Sequence, residues 1–167
     1  MYNHAPPGYI CPFCLLTTGI ENAHVLSLQA DIVHKNDMAT AFISIYQKIS
    51  NPGHVIIVPN AHFENLFELP AAYAAAIHDL SQKVAFAMKT AYQCEGISTR
   101  QHNEPAGNQD VWHYHLHIFP RYTGDDLYHS NSRIMPAEER ATCAQQLRNA
   151  LATDHTRESE MTANPTA

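Results

Sequence analysis

The segment Val111–Tyr122 reads VWHYHLHIFPRY and has a histidine at every second position. Successive side chains of a β-strand point to opposite faces of a sheet, so an extended run would place His113, His115 and His117 on one face. The other face would carry the apolar and aromatic side chains of Trp112, Tyr114, Leu116 and Ile118. The outer two histidines would lie about 13 Å apart, so one ion is held more easily by two of them than by all three. The segment predicts a strand with one face that carries the three imidazoles and an opposite face that packs on the core.

The segments on either side of this strand predict an α+β fold. Three further runs are typical of strands and lie at residues 38–47, 53–59 and 96–103. Apolar residues at spacings of three and four predict a long helix from Pro70 to about Gln93, with Gly96 as its stop. Pro136 has the position of a helix start and opens a C-terminal helix. Strands joined by turns or loops favour an antiparallel sheet, here of about five strands, with the helices packed on it.

Length and composition predict one domain. A chain of 167 residues with 45% hydrophobic residues is long enough to bury its own core. We place the domain at residues 1–151, with its informative motifs at 11–122. Residues 152–167 have almost no apolar side chains, and we predict that they form a disordered tail.

The net charge and the first residues of the chain indicate which classes of binding partner to expect. The net charge is −6 and only 10 residues are Lys or Arg, so we expect no nucleic-acid polymer as a partner. The first residues lack the basic and apolar regions of a secretory signal, and no apolar stretch reaches the length of a membrane span. We therefore expect a cytoplasmic protein with no membrane partner.

The residues alone leave three interpretations of the alternating histidines open. Buried histidines can be structural, but three neutral imidazoles on one face would each need a hydrogen-bond partner. Two of them can instead hold a zinc ion, with a third ligand from another strand and a water molecule, as in a metal hydrolase. In the third interpretation one imidazole attacks a phosphorus atom while its neighbours donate hydrogen bonds to phosphate oxygens.

A second group of possible ligands lies near the N-terminus. Cys11 and Cys14 in the segment CPFC have the spacing of zinc ligands. In a reducing cytosol such a pair is more often metal-binding or redox-active than a disulfide. The pair makes only half of a tetrahedral site, so the other ligands must come from elsewhere in the chain. Cys94 and Cys143 have no such neighbour and look like ordinary thiols.

The motifs follow one another in an order that covers most of the chain. Between Cys11 and Tyr122 occur the segments CPFC, NPGHVIIVPNAHFENLFEL and HNEPAGNQDVWHYHLHIFPRY. With these linked motifs, and with three alternating histidines followed by apolar residues, the chain resembles the histidine-triad (HIT) family of nucleotide-binding proteins. The resemblance implies a HIT-like domain, usually paired in a homodimer, that acts at the α-phosphate of a nucleotide ester, anhydride or phosphoramidate.

The resemblance also implies a role for each catalytic histidine. His115 would be the nucleophile and would form a nucleotidyl-histidine intermediate that water or another acceptor opens. His117 would donate to a non-bridging oxygen, and His54, in the PGH motif, would orient or polarise the site. The chemistry requires a neutral His115 in which one ring nitrogen is bonded as a donor and the other keeps its lone pair.

Ligands for metal and substrate follow from the same resemblance. His62 and His113 would complete a structural zinc site with the two cysteines, without activating water, and iron could replace the zinc. Asn103 and Gln109 match polar residues of the family, and their amides can bond phosphate or leaving-group oxygens. An apolar slot for a purine, or simply a part of the core, would be formed by Ile32, Phe42 and Ile45.

Two positions depart from the family pattern. Asp110 stands where many members have Ser or Thr, and Ser44 stands where many have an Asp near the ribose hydroxyls. A carboxylate beside a phosphate is unfavourable unless it points away. The resemblance also leaves the identity of the leaving group open. We expect a nucleotidyl hydrolase or transferase acting on purine nucleotide derivatives, such as dinucleoside polyphosphates or nucleoside phosphoramidates. The alternatives are a metal-dependent hydrolase and a nucleotide-binding regulatory module with negligible turnover.

Overall fold

The β-branched run at residues 55–58 lies at the centre of the fold. It forms strand β4 (Val55–Pro59), whose five residues are all buried, as expected of a strand that is covered on both faces. The structure is a computed structural model that describes residues 2–163, and side chains are described for residues 2–153. The other strands are β1 (Ile32–Lys35), β2 (Ala39–Ile43), β3 (Tyr46–Lys48), β5 (Gly96–Gln101), β6 (Leu116–Arg121) and β7 (Ser132–Ile134). The helices are α1 (Pro12–Thr17), α2 (Ala71–Tyr92) and α3 (Ala137–Ala163), with 3₁₀ turns at Gln29–Asp31 and Pro105–Gly107.

Five of the strands form one antiparallel sheet. Their order is β1-β2-β4-β6-β5, and every neighbouring pair is antiparallel. The strands β3 and β7 pair separately in a two-stranded antiparallel sheet. These observations confirm the predicted α+β class with a five-stranded antiparallel sheet, a long helix and a C-terminal helix.

Each face of the main sheet is covered by its own apolar cluster. The first cluster contains buried side chains of α2 and α3 packed on the sheet, among them Leu80, Val84 and Leu147. The second cluster covers the opposite face with side chains of α1, such as Phe13 and Leu16, and with others from the loop that precedes β1. Because α2 and α3 occupy one face, the second face is the one that is left for a site.

Helix α2 ends before the predicted stop at Gly96. Its last residue is Tyr92, and Gln93 takes a left-handed conformation with φ of 53°. The side-chain amide of Gln93 donates to the Thr90 carbonyl at 2.7 Å, which gives a partner to a backbone group at the helix end. Gly96 instead begins β5. The helix therefore ends within one residue of the predicted end at about Gln93, but the residue that stops it is Gln93 and not Gly96.

The histidine strand begins later than the alternation predicts. Backbone pairing starts at Leu116, opposite Ile57 of β4 and Gln101 of β5, so His113 and His115 precede the paired strand. A continued ladder would reach Pro59, which has no N–H to donate. The amide of Tyr114 instead donates to the carbonyl of Phe63 at 2.6 Å.

Helix α3 begins directly after Pro136, as predicted, and extends to Ala163. Ala144, Leu147 and Leu151 are buried on the face that packs on the first cluster. The proposed boundary at residue 151 falls within this helix, so the division into a domain and a tail stays a prediction, and residues 164–167 lie outside the described residues. Within residues 2–163, no helix has the length and apolar character that a bilayer span requires.

Candidate active site and metal centre

The three alternating histidines lie on the sheet face that α2 and α3 leave open. His113 and His115 are buried, and His117 is partly exposed. The ring centroids of His115 and His117 are 4.8 Å apart, and Phe13 of α1 packs edge-on against His115 at 5.5 Å. Tyr114 and the following apolar residues pack on the opposite side, against the first cluster. The predicted alternation of faces is therefore present even where the strand is not yet paired.

Trp112 does not follow this alternation. Its ring lies 5.8 Å from the ring of His4, in the N-terminal segment, and it belongs to neither apolar cluster. The expectation that it packs on the core face with Tyr114 was wrong, because the chain bends before the strand and is not extended at this residue.

The hydrogen bonds of His113 fix which of its ring nitrogens carries the proton. Nε2 lies 3.0 Å from the carbonyl oxygen of Pro59, and a carbonyl can only accept, so Nε2 is the donor. The neutral ring then has its lone pair on Nδ1. This atom lies 3.3 Å from Sγ of Cys11 and 3.5 Å from Sγ of Cys14. His113 thus directs a free lone pair toward the cysteine pair.

Four side chains meet at this point. Nδ1 of His62 lies 3.3 Å from Sγ of Cys14, and the ligand atoms of Cys11, Cys14, His62 and His113 all lie within 4.8 Å of one another. A tetrahedral zinc with bonds of about 2.3 Å to sulfur and 2.0 Å to nitrogen would place its ligand atoms roughly 3.3–3.8 Å apart. The distances to the sulfur atoms are in this range, so the residues present fit a zinc ion.

One thiol of this cluster is electrostatically prepared for a cation, whereas the pKa of the other, Cys14, is raised because it donates its proton to the Cys11 sulfur. The pKa of Cys11 is lowered to about 3, chiefly because its sulfur accepts a hydrogen bond from the Cys14 thiol. Thiolates, not thiols, bind metals, so one ligand of the set is already in the binding form. Cys94 and Cys143 lie elsewhere, and burial raises the pKa of each of their thiols.

His115 has the arrangement that a nucleophile requires. Its Nδ1 lies 2.8 Å from the carbonyl oxygen of His113, so Nδ1 donates and Nε2 keeps the lone pair. Burial lowers the pKa of His115, which keeps the ring neutral at neutral pH. An imidazole that is held in one tautomer by a backbone carbonyl can attack without prior rearrangement.

His54 and His117 form a chain of hydrogen bonds beside His115. Nδ1 of His54 donates to the carbonyl of Tyr46 at 3.0 Å, so its Nε2 accepts from Nδ1 of His117 at 2.9 Å. Nε2 of a neutral His117 then carries a lone pair and can donate only after it gains a second proton. Burial lowers the pKa of both rings, that of His54 to about 3. In this structure both rings are therefore neutral at pH 7.

The two amides that precede the triad are engaged with the surrounding loop. Gln109 is buried, and its Nε2 donates to the Glu64 carbonyl at 2.6 Å while its Oε1 accepts from the backbone N–H of Glu104 at 2.8 Å. Asn103 Oδ1 accepts from the backbone N–H of Leu66 at 2.8 Å, and its Nδ2 donates to the Gln101 side chain at 2.6 Å. Both residues hold the loop that leads to the histidines. The Gln109 amide uses both of its N–H groups, since Nε2 also donates to the Val111 carbonyl at 3.1 Å, so it can donate to a phosphate only after one of these bonds opens. Within the described residues the Asn103 amide uses one of its two N–H groups.

Asp110 points into solvent next to His115. Its carboxylate is 81% exposed, and Oδ1 lies 3.8 Å from Nε2 of His115. An exposed carboxylate can turn away when a phosphate binds, which limits the repulsion that the sequence suggested. Ser44 lines a cavity beside these residues, and its Oγ accepts from the backbone N–H of Tyr46 at 3.2 Å.

A cavity of about 600 Å³ adjoins His115 and His117. Its apolar wall is formed by Phe13, Val25, Leu26, Phe42, Ile45, Ile56 and Val111. Phe42 and Ile45, which the sequence analysis assigned to an apolar slot, both line this cavity, and their contact with a base stays a prediction. Ile32 does not line this cavity and packs against the second cluster. Sequence reasoning missed Phe13, although it lies inside the CPFC motif, and missed Val25 and Leu26, which lie in a stretch with weak signals.

A smaller cavity of about 180 Å³ lies on the other side of His54 and His117. Its polar wall includes Lys48, Arg100 and His102, which the sequence did not single out as site residues. Their positions depend on the register between distant strands, and no local pattern marks them.

Comparison with known proteins identifies related chains. The HIT domain family matches residues 26–124, which is more than half of the chain. The chain is 29% identical to Protein hit of Bacillus subtilis over 116 residues, which cover 70% of this chain and 74% of that protein. It is also 29% identical over 125 residues to the adenylylsulfatase HINT3 of Arabidopsis thaliana, covering 73% of this chain and 57% of the relative.

Solved structures share the fold. A Hit-like protein of Bartonella henselae, described as involved in cell-cycle regulation, superposes with a TM-score of 0.66 and 33% identity, covering 72% of this chain and 85% of that one. A zinc-bound histidine triad protein of Mycobacterium smegmatis has a TM-score of 0.72 and 24% identity, covering 88% and 96% of the two chains. The matched domain, the fold and the alternating histidines agree, and this chain belongs to the histidine-triad (HIT) family.

Proposed function

We propose that the protein is a nucleotidyl hydrolase or transferase that works through a covalent intermediate on His115. The observation that carries this proposal is the lone pair on Nε2 of His115, a residue that lines the larger cavity and whose Nδ1 is held by the carbonyl of His113 at 2.8 Å. The relative HINT3 is named for its action on an adenylyl sulfate, which agrees with chemistry at the α-phosphate of a nucleotide derivative.

The reaction has two displacement steps at one phosphorus atom. Nε2 of His115 forms a bond to the α-phosphorus, and the bond from phosphorus to the leaving group breaks and gives its electron pair to the leaving atom. Water then attacks the same phosphorus, the N–P bond breaks with its electron pair returning to Nε2, and a proton passes to solvent as the nucleoside monophosphate forms. Another acceptor in place of water gives transfer instead of hydrolysis.

The neighbouring histidines support the phosphate in this mechanism. A bound phosphate brings negative charge next to His117 and raises its affinity for a second proton, because an opposite charge favours the charged form. The doubly protonated ring would donate from Nε2 to a non-bridging oxygen while His54 holds its Nδ1. The nucleoside would occupy the larger cavity, where a purine fits against Phe42 and Ile45. Ile32 supports this wall from behind, and Asn103 and Gln109 hold the loop before the triad.

The metal centre has a structural role in this proposal. Cys11, Cys14, His62 and His113 would hold a zinc ion, which would join the N-terminal helix to the catalytic segment. Four protein ligands fill a tetrahedral ion, so this ion would not activate water. The rival interpretation, a metal hydrolase that uses the triad as its ligands, receives no support because only His113 of the three faces the cluster.

The test is to look for the covalent intermediate. Wild-type protein mixed with an adenylyl substrate labelled at the α-phosphate should give an acid-labile adduct on the peptide that contains His115, and His115→Ala should lose the adduct and turnover by orders of magnitude. His129→Ala, at an exposed histidine paired with Asp126, is the matched control and should retain both. Turnover that persists in His115→Ala without an adduct in the wild type would exclude the nucleophile. Bound nucleotide with no turnover would indicate a regulatory module.

A further inference from the structure

Cross-strand pairing places an arginine beside the catalytic histidines. In β2, β4, β6 and β5 the directly opposite residues are Phe42, Ile56, His117 and Arg100. Residues that face each other across antiparallel strands have their side chains on the same face of the sheet. This row therefore begins with apolar residues under the larger cavity, passes through His117 and ends with a cation on the edge strand β5.

Arg100 has no counter-ion among the described residues. No carboxylate lies within 4.0 Å of its guanidinium, and no hydrogen bond to it is formed within residues 2–153. The guanidinium instead lies over the ring of Phe119, 5.1 Å from its centroid, and 5.6 Å from the ring centroid of Tyr128. Aromatic rings hold the guanidinium plane in place and leave its N–H groups available to an anion.

Further donors line the smaller cavity with Arg100. Lys48 extends from β3 and donates to the carbonyl of Ser130 at 2.7 Å, which uses one of its three N–H bonds. His102 donates from Nδ1 to the carbonyl of Gly107 at 2.6 Å, and its ring lies 5.7 Å from that of His117. The cavity wall has one carboxylate, that of the exposed Asp110. Arg100 and Lys48 have no carboxylate partner among the side chains of residues 2–153, and these two cations give the cavity the character of an anion site.

We propose that Arg100 and Lys48 form a leaving-group subsite that selects substrates whose leaving group carries its own negative charge, such as a phosphate chain. The proposal rests on the proposed nucleotidyl transfer at His115 and assigns the two sides of the site. The nucleoside lies in the apolar cavity, the α-phosphate lies over the histidines, and the leaving group lies toward β5.

The chemistry of departure agrees with this assignment. When the P–O bond to a phosphate leaving group breaks, the electron pair goes to the leaving oxygen, and the resulting anion needs no proton. Lys48 and Arg100 would stabilise the charge that develops there. An amine leaving group instead takes up a proton at nitrogen and develops no negative charge, so the two cations would not stabilise its departure.

Two substrates with the same adenylyl group test the proposal. Diadenosine triphosphate has an anionic leaving group, and adenosine 5′-phosphoramidate has an uncharged one, so the ratio of their kcat/KM values isolates the leaving group. Arg100→Gln should lower this ratio at least tenfold, because a hydrogen-bonded charge is removed. Lys48→Gln should lower it by a smaller factor, and Arg100→Lys should recover part of the loss. Lys83→Gln, in a separate cavity beside α2, is the matched control and should keep the wild-type ratio.

A binding measurement separates this proposal from the proposed function. Inorganic tripolyphosphate should bind the wild-type protein in a salt-dependent manner, and Arg100→Gln should weaken that binding at least tenfold, whether or not turnover is observed. A ratio that stays unchanged in Arg100→Gln while both substrates are turned over would overturn the subsite and leave the nucleophile intact. If the wild-type protein turns over neither substrate, the proposed function is rejected. The tripolyphosphate measurement alone would then show whether Arg100 belongs to an anion-binding site.

Discussion

Gly53, the residue before His54, is predicted to tolerate no side chain. Its φ is +101°, and a Cβ added there would lie 2.5 Å from Cε2 and 2.9 Å from Cζ of Tyr92. The ring of Tyr92 cannot simply turn aside, because it packs in the first cluster and its hydroxyl donates to the Cys143 carbonyl at 3.3 Å. Gly53→Ala therefore combines backbone strain with a steric clash.

The two contributions can be given magnitudes. Left-handed backbone costs a residue with Cβ about 1–2 kcal/mol, and overpacking of a well-packed site costs about 1–3 kcal/mol. The sum is about 2–5 kcal/mol in the free energy of unfolding. For a chain of this size the melting temperature falls by about 2–4 °C per kcal/mol, so we expect a decrease of roughly 4–20 °C.

The other glycines provide matched controls for each contribution. Gly124 has φ of +79° with nothing within 4 Å of an added Cβ, so Gly124→Ala measures strain without a clash. Gly107 has neither a positive φ nor a close neighbour, so Gly107→Ala measures only the loss of chain entropy in the unfolded state, which stabilises by up to about 1 kcal/mol. Urea unfolding at equilibrium gives the three free energies on one scale.

The order of the three variants decides the matter. Gly53→Ala should be the least stable and Gly107→Ala the most stable, and removal of the Tyr92 ring in a Gly53→Ala, Tyr92→Ala double variant should recover the steric part of the loss relative to Tyr92→Ala alone. Equal stabilities for Gly53→Ala and Gly124→Ala would show that the ring yields without cost and that the steric reasoning is incorrect.

Three other properties follow from the site and from the family. Purified protein should carry about one zinc per chain, and Cys14→Ser should lose both the metal and stability, whereas Cys143→Ser should lose neither. Elemental analysis and thermal melting check this expectation. A metal-free protein with an unchanged melting temperature would contradict it. The pKa values of His54 and His117 in the folded protein lie below the unfolded value of about 6.5, so the unfolded chain binds more protons than the folded one between pH 6.5 and about 3. The free energy of unfolding should therefore fall as the pH decreases through this window, by up to about 1.4 kcal/mol per pH unit for each ring. In a His54→Gln variant the free energy of unfolding, measured by urea titration at several pH values between 4 and 6, should depend less steeply on pH. An identical pH dependence would count against a neutral His54 ring. Light scattering at micromolar concentration should find the homodimer that the family resemblance predicts, and a monomer would remove that expectation.

Local patterns were enough to predict the parts of the fold that are determined by neighbouring residues. The run at 55–58, the three-and-four spacing of α2 and the alternation around His115 each depend on short stretches, and all appear in the structure. The late start of the histidine strand was not predicted because it depends on Pro59, which lies more than 50 residues away in the chain.

The smaller cavity shows why part of the site escaped sequence reasoning. Arg100 faces the same side as His117 because these two residues are paired in one particular register. A shift of one residue would turn Arg100 to the helix-covered face, and nothing in the local sequence fixes this register. The tautomers of the histidines were also inaccessible, since they follow from carbonyl groups that only the fold brings close.

One residue, His113, connects the proposed metal centre to the proposed nucleophile. Its ring offers Nδ1 to the cysteines, and its own carbonyl accepts the proton that fixes the tautomer of His115. An ion bound at Cys11 and Cys14 is therefore separated from the reacting nitrogen by a single amino acid. Cobalt(II) placed there would act as an internal spectroscopic probe, because its absorption bands respond to small changes in ligand geometry. Nucleotidylation of the neighbouring imidazole would then be observable as a colour change at a metal that, in the proposed mechanism, takes no part in the reaction.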